Sequence, residues 1–275
     1  MKITEIIERI KLSHGEQEES SCDGIKYGDP EQECTGIVVT CCATVEVIRQ
    51  ALERNANLLV VHEPLFWNHE DTTDWAEGNW ALEEKKNLLD QGNIVVWRDH
   101  DYIHGGPPME YGRSLPDGIF CGIARELGWE RCVVNTELKP LVFRIPPTDG
   151  ETLGRMLKET LGLNGIRVIG DKTAEISTVF ICEHLFGNEK DLQKILRLEQ
   201  EGAEAIIPLE IVDWDLCAYV RDCCQLGRKK VIYNIGHFNF EELGMKHLAR
   251  NIPELIDRAV PVEYINSGDS YDFII

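Results

Sequence analysis

Histidine and carboxylate side chains recur at three points in this chain, each just past an apolar run. Leu58-Leu59-Val60-Val61 ends in His62 and Glu63, with Pro64 next. NIVVW (93–97) is followed by Arg98, Asp99, His100, Asp101 and His104. KKVIYNIG (229–236) leads into His237, with Glu241 four residues on. Five of the eight histidines (62, 69, 100, 104 and 237) lie at or shortly after such runs. Imidazole nitrogen and carboxylate oxygen together suit zinc, iron, manganese or nickel without any thiolate. One such point offers too few donors to hold an ion firmly, whereas three that converge can supply five. A carboxylate can also bridge two ions about 3.5–4 Å apart. Each feature alone has a plainer reading. A lone histidine at a strand end is commonly a hydrogen-bonded structural residue. HxxxE also occurs as a surface pair on a helix, and HDYIH fits a salt-bridged turn. His69, in the polar stretch NHEDTTD, reads as loop, and His14, His184 and His247 read as structural.

The elements that must position these residues alternate along the chain. GIVVTCCA (36–43), LLVVH (58–62) and NIVVW (93–97) read as strands, with helices over 45–55, 80–92 and 118–128. The rhythm restarts in the second half. Strands are expected at 141–146, 166–170, 178–182, 203–210 and 229–236, and the helices include GETLGRMLKETLG, DLQKILRLEQEG, DLCAYVRDCCQLG and EELGMKHLARNI. Such alternation predicts an α/β fold with mostly parallel sheets, in two halves expected at 1–130 and 131–275. In open α/β sheets ligands bind beyond the carboxyl ends of the strands, where the histidines and carboxylates fall. Residues 14–35 and the Gly/Pro-rich 105–117 read as irregular. HEPLFWN (62–68) and EHLFGN (183–188), each after an apolar run, form a faint internal echo. Asn239 is expected to cap the helix that carries Glu241, with Glu242 closing a capping-box-like turn.

The 275 residues carry a net charge of −20, from 28 basic and 48 acidic side chains. That balance repels phosphate backbones, so no nucleic-acid partner is expected. No run approaches the ~20 apolar residues of a membrane span, and the N-terminus lacks the apolar core of a signal peptide. Ten cysteines include the neighbours Cys41-Cys42 and Cys223-Cys224 but no CxxC pair. They read as buried, reduced thiols of a cytoplasmic protein.

The segment GIVVTCCATVEVIRQALERNANLLVVHEPLFW resembles the N-terminal signature of the Nif-three-like dinuclear-metal proteins, often named GTP cyclohydrolase 1 type 2 homologues. In that signature the second strand ends His-His-Pro-Leu; here it ends His62-Glu63-Pro64-Leu65. A late Gly-His followed by Glu matches Gly236, His237 and Glu241 in IGHFNFEE. The resemblance extends to the ending VPVEYINSGDSYDFI. It implies two similar α/β halves with the metals in the cleft between them, two ions per chain and a ring-like homohexamer. The implied ligands are two consecutive histidines, a mid-chain aspartate, and the late His and Glu. Two positions depart: Glu63 replaces the second histidine, and His104 stands at the aspartate position. Three histidines and two carboxylates remain, namely His62, Glu63, His104, His237 and Glu241. Asp101 is the substitute should His104 point away. His100 matches a family histidine beside the ligands and is read as an acid/base group or a residue that orients a ligand.

The function expected is a di-metal-dependent hydrolase acting on a small phosphorylated or heterocyclic molecule, such as a nucleotide. Neither GxxxxGK[ST] nor a GxGxxG after a strand supports nucleotide binding independently. The rival expectations are a non-catalytic metal-binding, metal-sensing or scaffold protein, and a structural protein with a vestigial site. An open coordination position separates catalytic from closed metal sites.

Overall fold

The computed structural model describes residues 1–14, 22–105, 117–134, 141–182 and 184–274. They divide into two compact units. The first comprises Met1–Pro108, Pro116–Ile123 and Glu241–Ser267, and the second Met109–Leu115, Ala124–Phe240 and Gly268–Ile275.

The elements run α1 (Ile3–Ser13), β1 (Gly24–Tyr27), β2 (Ile37–Thr40), α2 (Val45–Glu53), β3 (Leu58–Val61), α3 (Trp80–Gln91), β4 (Val95–Arg98), α4 (Asp101–His104) and α5 (Gly118–Glu126). They continue with β5 (Leu141–Asp149), α6 (Gly150–Leu161), β6 (Arg167–Gly170), β7 (Glu175–Cys182), α7 (Glu189–Glu201), β8 (Ala205–Pro208), α8 (Leu216–Gln225) and β9 (Val231–Asn234). Helix α9 (His237–Leu255) and β10 (Val262–Tyr264) close the chain. The division between units falls within α5 and α9.

The first unit holds the sheet β1-β4-β3-β2-β10, parallel except for β1. Strands β2, β3 and β4 are buried at every position, as expected of parallel strands covered on both faces. Their register levels the carboxyl ends, because Thr40 pairs with Val61 and Val61 with Arg98. Cys41, His62 and Asp99 therefore leave the sheet side by side. Thr44 caps α2 by accepting the Val47 N–H at 3.2 Å, and Asn79 caps α3.

The second unit holds the sheet β5-β7-β8-β9-β6. Its three central strands run parallel, and both edge strands are antiparallel. Four strands correspond to those of the first sheet: β7, β8 and β9 repeat the parallel run β2, β3 and β4, and β6 lies antiparallel to β9 as β1 does to β4. Helix α7 begins in a capping box of Asn188 and Asp191 and ends at Gly202, whose φ of 67° is the left-handed conformation glycine adopts without strain.

Several expectations need correction. The segment 14–35 is not wholly irregular, because it contains β1. Of the loop expected at 105–117, residues 106–116 lie outside the described residues. Helix α9 starts at His237, so Asn239 sits inside its first turn instead of capping it. The Phe240 N–H already bonds to the Gly236 carbonyl at 3.2 Å, which fixes the earlier start.

Candidate metal centre

His62 follows β3 directly and is fully buried. Its backbone N–H bonds to the Cys41 carbonyl at 3.0 Å, and its carbonyl accepts from Arg98 Nε at 3.0 Å. Arg98, also fully buried, reaches the His69 carbonyl at 2.7 Å through Nη1. One guanidinium thus ties the end of β3 to the loop that follows it. The His62 Nδ1 lies 3.1 Å from the Asp99 carbonyl oxygen. That contact seats the proton on Nδ1 and leaves Nε2 as the electron-pair donor.

His100 and His104 flank α4. The carboxylate of Asp23 receives the backbone N–H groups of His100 (2.6 Å), Asp101 (3.1 Å) and Tyr102 (2.8 Å), which satisfies the start of that short helix. Burial raises the Asp23 pKa, with these N–H groups opposing it. His100 Nδ1 sits 2.8 Å from Asp101 Oδ1, and His104 Nδ1 sits 2.9 Å from Asp117 Oδ2. Asp117 is buried, and its other oxygen accepts the Phe120 N–H at the start of α5.

The three imidazoles form one group. His62 and His100 stack with ring centroids 4.5 Å apart, and His104 lies edge-on to each at 5.0 Å. Each ring offers a ligand nitrogen within 4.8 Å of the others. Every Nδ1 already faces an oxygen acceptor, so the Nε2 atoms are the ones available to a shared ion. The pattern of a histidine donating one ring nitrogen to oxygen and the other to a metal is that of biological metal ligands. Buried His62 Nε2 makes no hydrogen bond, its neighbour being Glu241 Oε2 at 3.3 Å. Burial lowers the His62 pKa, but the charges of Glu241 and Glu63 outweigh it and lift the value to about 9. His100 moves the other way, to about 3, through burial and the nearby charge of His62.

Glu241 is almost wholly buried on α9. A carboxylate oxygen of Glu63 lies within 4.8 Å of one of Glu241. The packing of α9 on α5 sets that position. A Cβ on Gly122 would meet the Gly244 Cα at 2.8 Å, and one on Gly244 would meet the Ile119 Cα at 2.8 Å. Next to it, Glu242 accepts the Ser267 N–H at 2.7 Å and the Tyr264 hydroxyl at 2.8 Å, which fastens α9 to the strand β10.

Of the expected site residues, His62, Glu63, His100, His104 and Glu241 all belong to the first unit. His237 belongs to the second, where its Nδ1 lies 2.7 Å from Glu210 Oε1. His184, expected to be structural, bonds to the other oxygen of the same Glu210 through its own Nδ1. The only signal for His184 was the faint echo between HEPLFWN and EHLFGN, and the echo does not follow the strand order, since β7 corresponds to β2 and not to β3. Glu210 had only its position at the end of the run AEAIIPLE. His14, read as structural, holds the buried Asp99 carboxylate through Nε2 at 2.9 Å.

Known proteins are similar to this chain. Residues 1–96 match the family model Duf34/NIF3 (NGG1p interacting factor 3). That match covers the first third of the chain. A GTP cyclohydrolase 1 type 2 homolog of Clostridium perfringens is 26% identical over 264 residues, covering 90% of this chain and 88% of that one. Among solved structures, a hypothetical protein of Staphylococcus aureus superposes with a TM-score of 0.69 at 18% identity, covering 100% of this chain and 99% of its own. A Bacillus cereus protein related to NIF3 gives 0.68 at 14% identity, with the same coverage. These likenesses show a fold shared over the whole chain. No helix among the described residues is long and apolar enough to cross a membrane.

Proposed function

We propose that this Nif3-like protein binds divalent metal at the carboxyl end of its first sheet and uses it for hydrolysis. His62, His100 and His104 are the nitrogen donors, and Glu241 and Glu63 are the carboxylates beside them. One observation carries the reading: each of the three rings offers a nitrogen within 4.8 Å of the others, and their Nδ1 atoms face oxygen acceptors, which leaves the Nε2 atoms for an ion. The donor set of imidazoles and carboxylates fits zinc, iron, manganese or nickel. The exchange of residues at 63 and 104 keeps three histidines and two carboxylates in the set read from the sequence.

A bound ion would supply Lewis-acid polarisation and an acidified water at neutral pH. The chain's own residues do the rest. The Asp99 carbonyl and the Asp117 carboxylate fix the rings of His62 and His104. His14 and Arg98 hold the backbone that carries them. The side chains of His100 and His104 are 22% and 20% exposed, so substrate and water can approach from their side while His62 anchors the interior. An approachable centre suits catalysis better than closed storage. The substrate class we favour is a small phosphorylated or heterocyclic molecule such as a nucleotide, supported by the name of the Clostridium perfringens relative. A cytoplasmic homo-oligomer, hexameric by resemblance, is the proposed form.

The test starts with metal content. Protein purified without chelator or affinity metal is assayed by elemental mass spectrometry and then screened against phosphate esters and nucleotides. Bound first-row metal that is lost in His62→Ala and His104→Ala, together with metal-dependent turnover, supports the reading. Metal without turnover on any substrate class would leave a metal-binding or metal-sensing protein. No metal after reconstitution would end the metalloenzyme reading.

A further inference from the structure

We infer that Glu210 and His184 are positioning residues for His237, the histidine read from the sequence as a metal ligand, and that they aim its Nε2 at an ion. The inference rests on the metal-binding reading above and adds two residues to it. His237 opens α9 one helical turn before Glu241, so the two side chains share a face of that helix. Its Nδ1 lies 2.7 Å from Glu210 Oε1. An ionised carboxylate only accepts hydrogen bonds, so this contact seats the ring proton on Nδ1 and puts the electron pair on Nε2. His62 and His104 are arranged alike, with Nδ1 against the Asp99 carbonyl and the Asp117 carboxylate. Glu210 thus stands behind His237 as Asp117 stands behind His104. A carboxylate in that place fixes the ring and makes it a stronger donor to metal.

Glu210 is itself held from its other side. Its second oxygen accepts from His184 Nδ1, and the His184 and His237 rings are 5.2 Å apart. With one ring on each oxygen, the carboxylate cannot turn without losing a bond. The His184 ring lies parallel to that of Phe186, with centroids 5.3 Å apart. Lys194 Nζ donates to the His184 carbonyl at 2.6 Å. The Leu185 N–H bonds to the Glu210 carbonyl at 2.8 Å, and the Val212 N–H to the Leu185 carbonyl at 2.9 Å, which joins the segments after β7 and β8. On the His237 side, the turn out of β9 passes through Gly236 at a φ of 109°. A Cβ there would be strained and would come within 3.0 Å of Asn239 Oδ1.

The plainer role for such a cluster is a surface ion pair. Side-chain exposures are 40% for His184, 41% for Glu210 and 26% for His237, and pairs that open to water contribute little to stability. Yet the three side chains come from the ends of three neighbouring parallel strands, β7, β8 and β9, and meet nitrogen to oxygen with the same ring atom from each histidine. That convergence serves the aim of a ring better than it serves the fold.

The test combines nitrogen NMR of the imidazoles with a Co(II) isotherm on the stripped full-length chain. In the metal-free chain at alkaline pH, His237 should carry its proton on Nδ1, and in Glu210→Ala the two tautomers should mix. Glu210→Ala should weaken Co(II) binding roughly 10–100-fold. Glu210→Gln, which keeps an oxygen acceptor without the charge, should fall between that variant and the unsubstituted chain. His184→Ala, one bond further from the ion, should lose less than Glu210→Ala. An ion pair of merely structural use would change thermal stability and leave both tautomer and affinity unmoved. A His237 proton on Nε2 in the unsubstituted chain overturns the inference even where no variant folds, and so does unchanged Co(II) affinity in folded Glu210→Ala. Failure of the underlying metal reading looks different: the unsubstituted chain then takes up no Co(II), and this inference falls with it.

Discussion

At His62 and His100, two stacked rings respond to pH in opposite senses. His62 has a folded pKa of about 9, above its ordinary 6.5, so its pairing with Glu241 stabilises the metal-free fold fully below pH 6.5. That contribution fades as the pH rises through 9, and at about 1.4 kcal/mol per pH unit it amounts to ~3 kcal/mol. His100, held neutral down to about pH 3, costs stability as the pH falls below 6.5, where the unfolded chain takes up a proton that the folded chain refuses. From these two groups alone, the metal-free protein is most stable near pH 6.5. Thermal unfolding across pH 4–10 checks this, and His62→Gln should flatten the alkaline limb and, by removing a charge beside His100, soften the acid limb. Metal binding must displace the proton of His62, so affinity should rise with pH up to about 9 and protons should be released into a weakly buffered solution. A metal affinity that is flat between pH 6 and 9 would remove His62 from the ligand set. His100→Ala separates the two roles open to that ring. As a ligand it should cost metal; as an acid/base group it should spare metal and lower turnover.

Between residues and molecule stand the short elements that aim the side chains. Asp117 serves two elements at once, by orienting His104 and accepting an N–H at the start of α5. Asp117→Ala should cost about 1 kcal/mol through the lost helix-start bond and roughly 10–100-fold in metal affinity through the freed imidazole. Denaturant titration and a metal isotherm read the two effects separately. Gly244→Ala should push α9 off α5 and destabilise the chain by about 1–3 kcal/mol by overpacking, and it should weaken metal binding by displacing Glu241. Normal metal affinity in that variant would mean α9 positions nothing at the centre. Much of this frame is legible in the sequence, because LLVV and NIVVW are buried on both faces and therefore apolar throughout. β10 was not legible: Val-Glu-Tyr is only half buried, and three residues show no period. The early start of α9 was hidden as well, because Asn239 looks like a cap until the Gly236 carbonyl is seen to accept the Phe240 N–H. Ile3, Ile6, Ile7 and Ile10 carry a helical period for α1, and the polar residues after them obscured it.

Over the whole molecule, a net charge of −20 draws cations to many places at once. The sequence made the presence of donors plain and left their grouping open, because grouping depends on which strands lie side by side. His237 and Glu241 are one helical turn apart, and each meets a residue from a strand end distant in sequence, Glu210 for His237 and His62 for Glu241. The same acidity complicates any metal titration, since surface carboxylates bind divalent ions weakly and without selectivity. Salt separates the two kinds of binding. The screening length falls from about 10 Å in 0.1 M salt to ~3 Å in 1 M, so exposed carboxylates lose most of their pull, while buried donors are screened far less. In high salt the isotherm should shed its weak phase and keep the tight one. The tight phase should then follow His62 and His104 substitutions and ignore exposed acids such as Glu31 or Asp257. If the tight phase also collapses with salt, metal is held by the general acidic field and the imidazole group at the first sheet is not its seat.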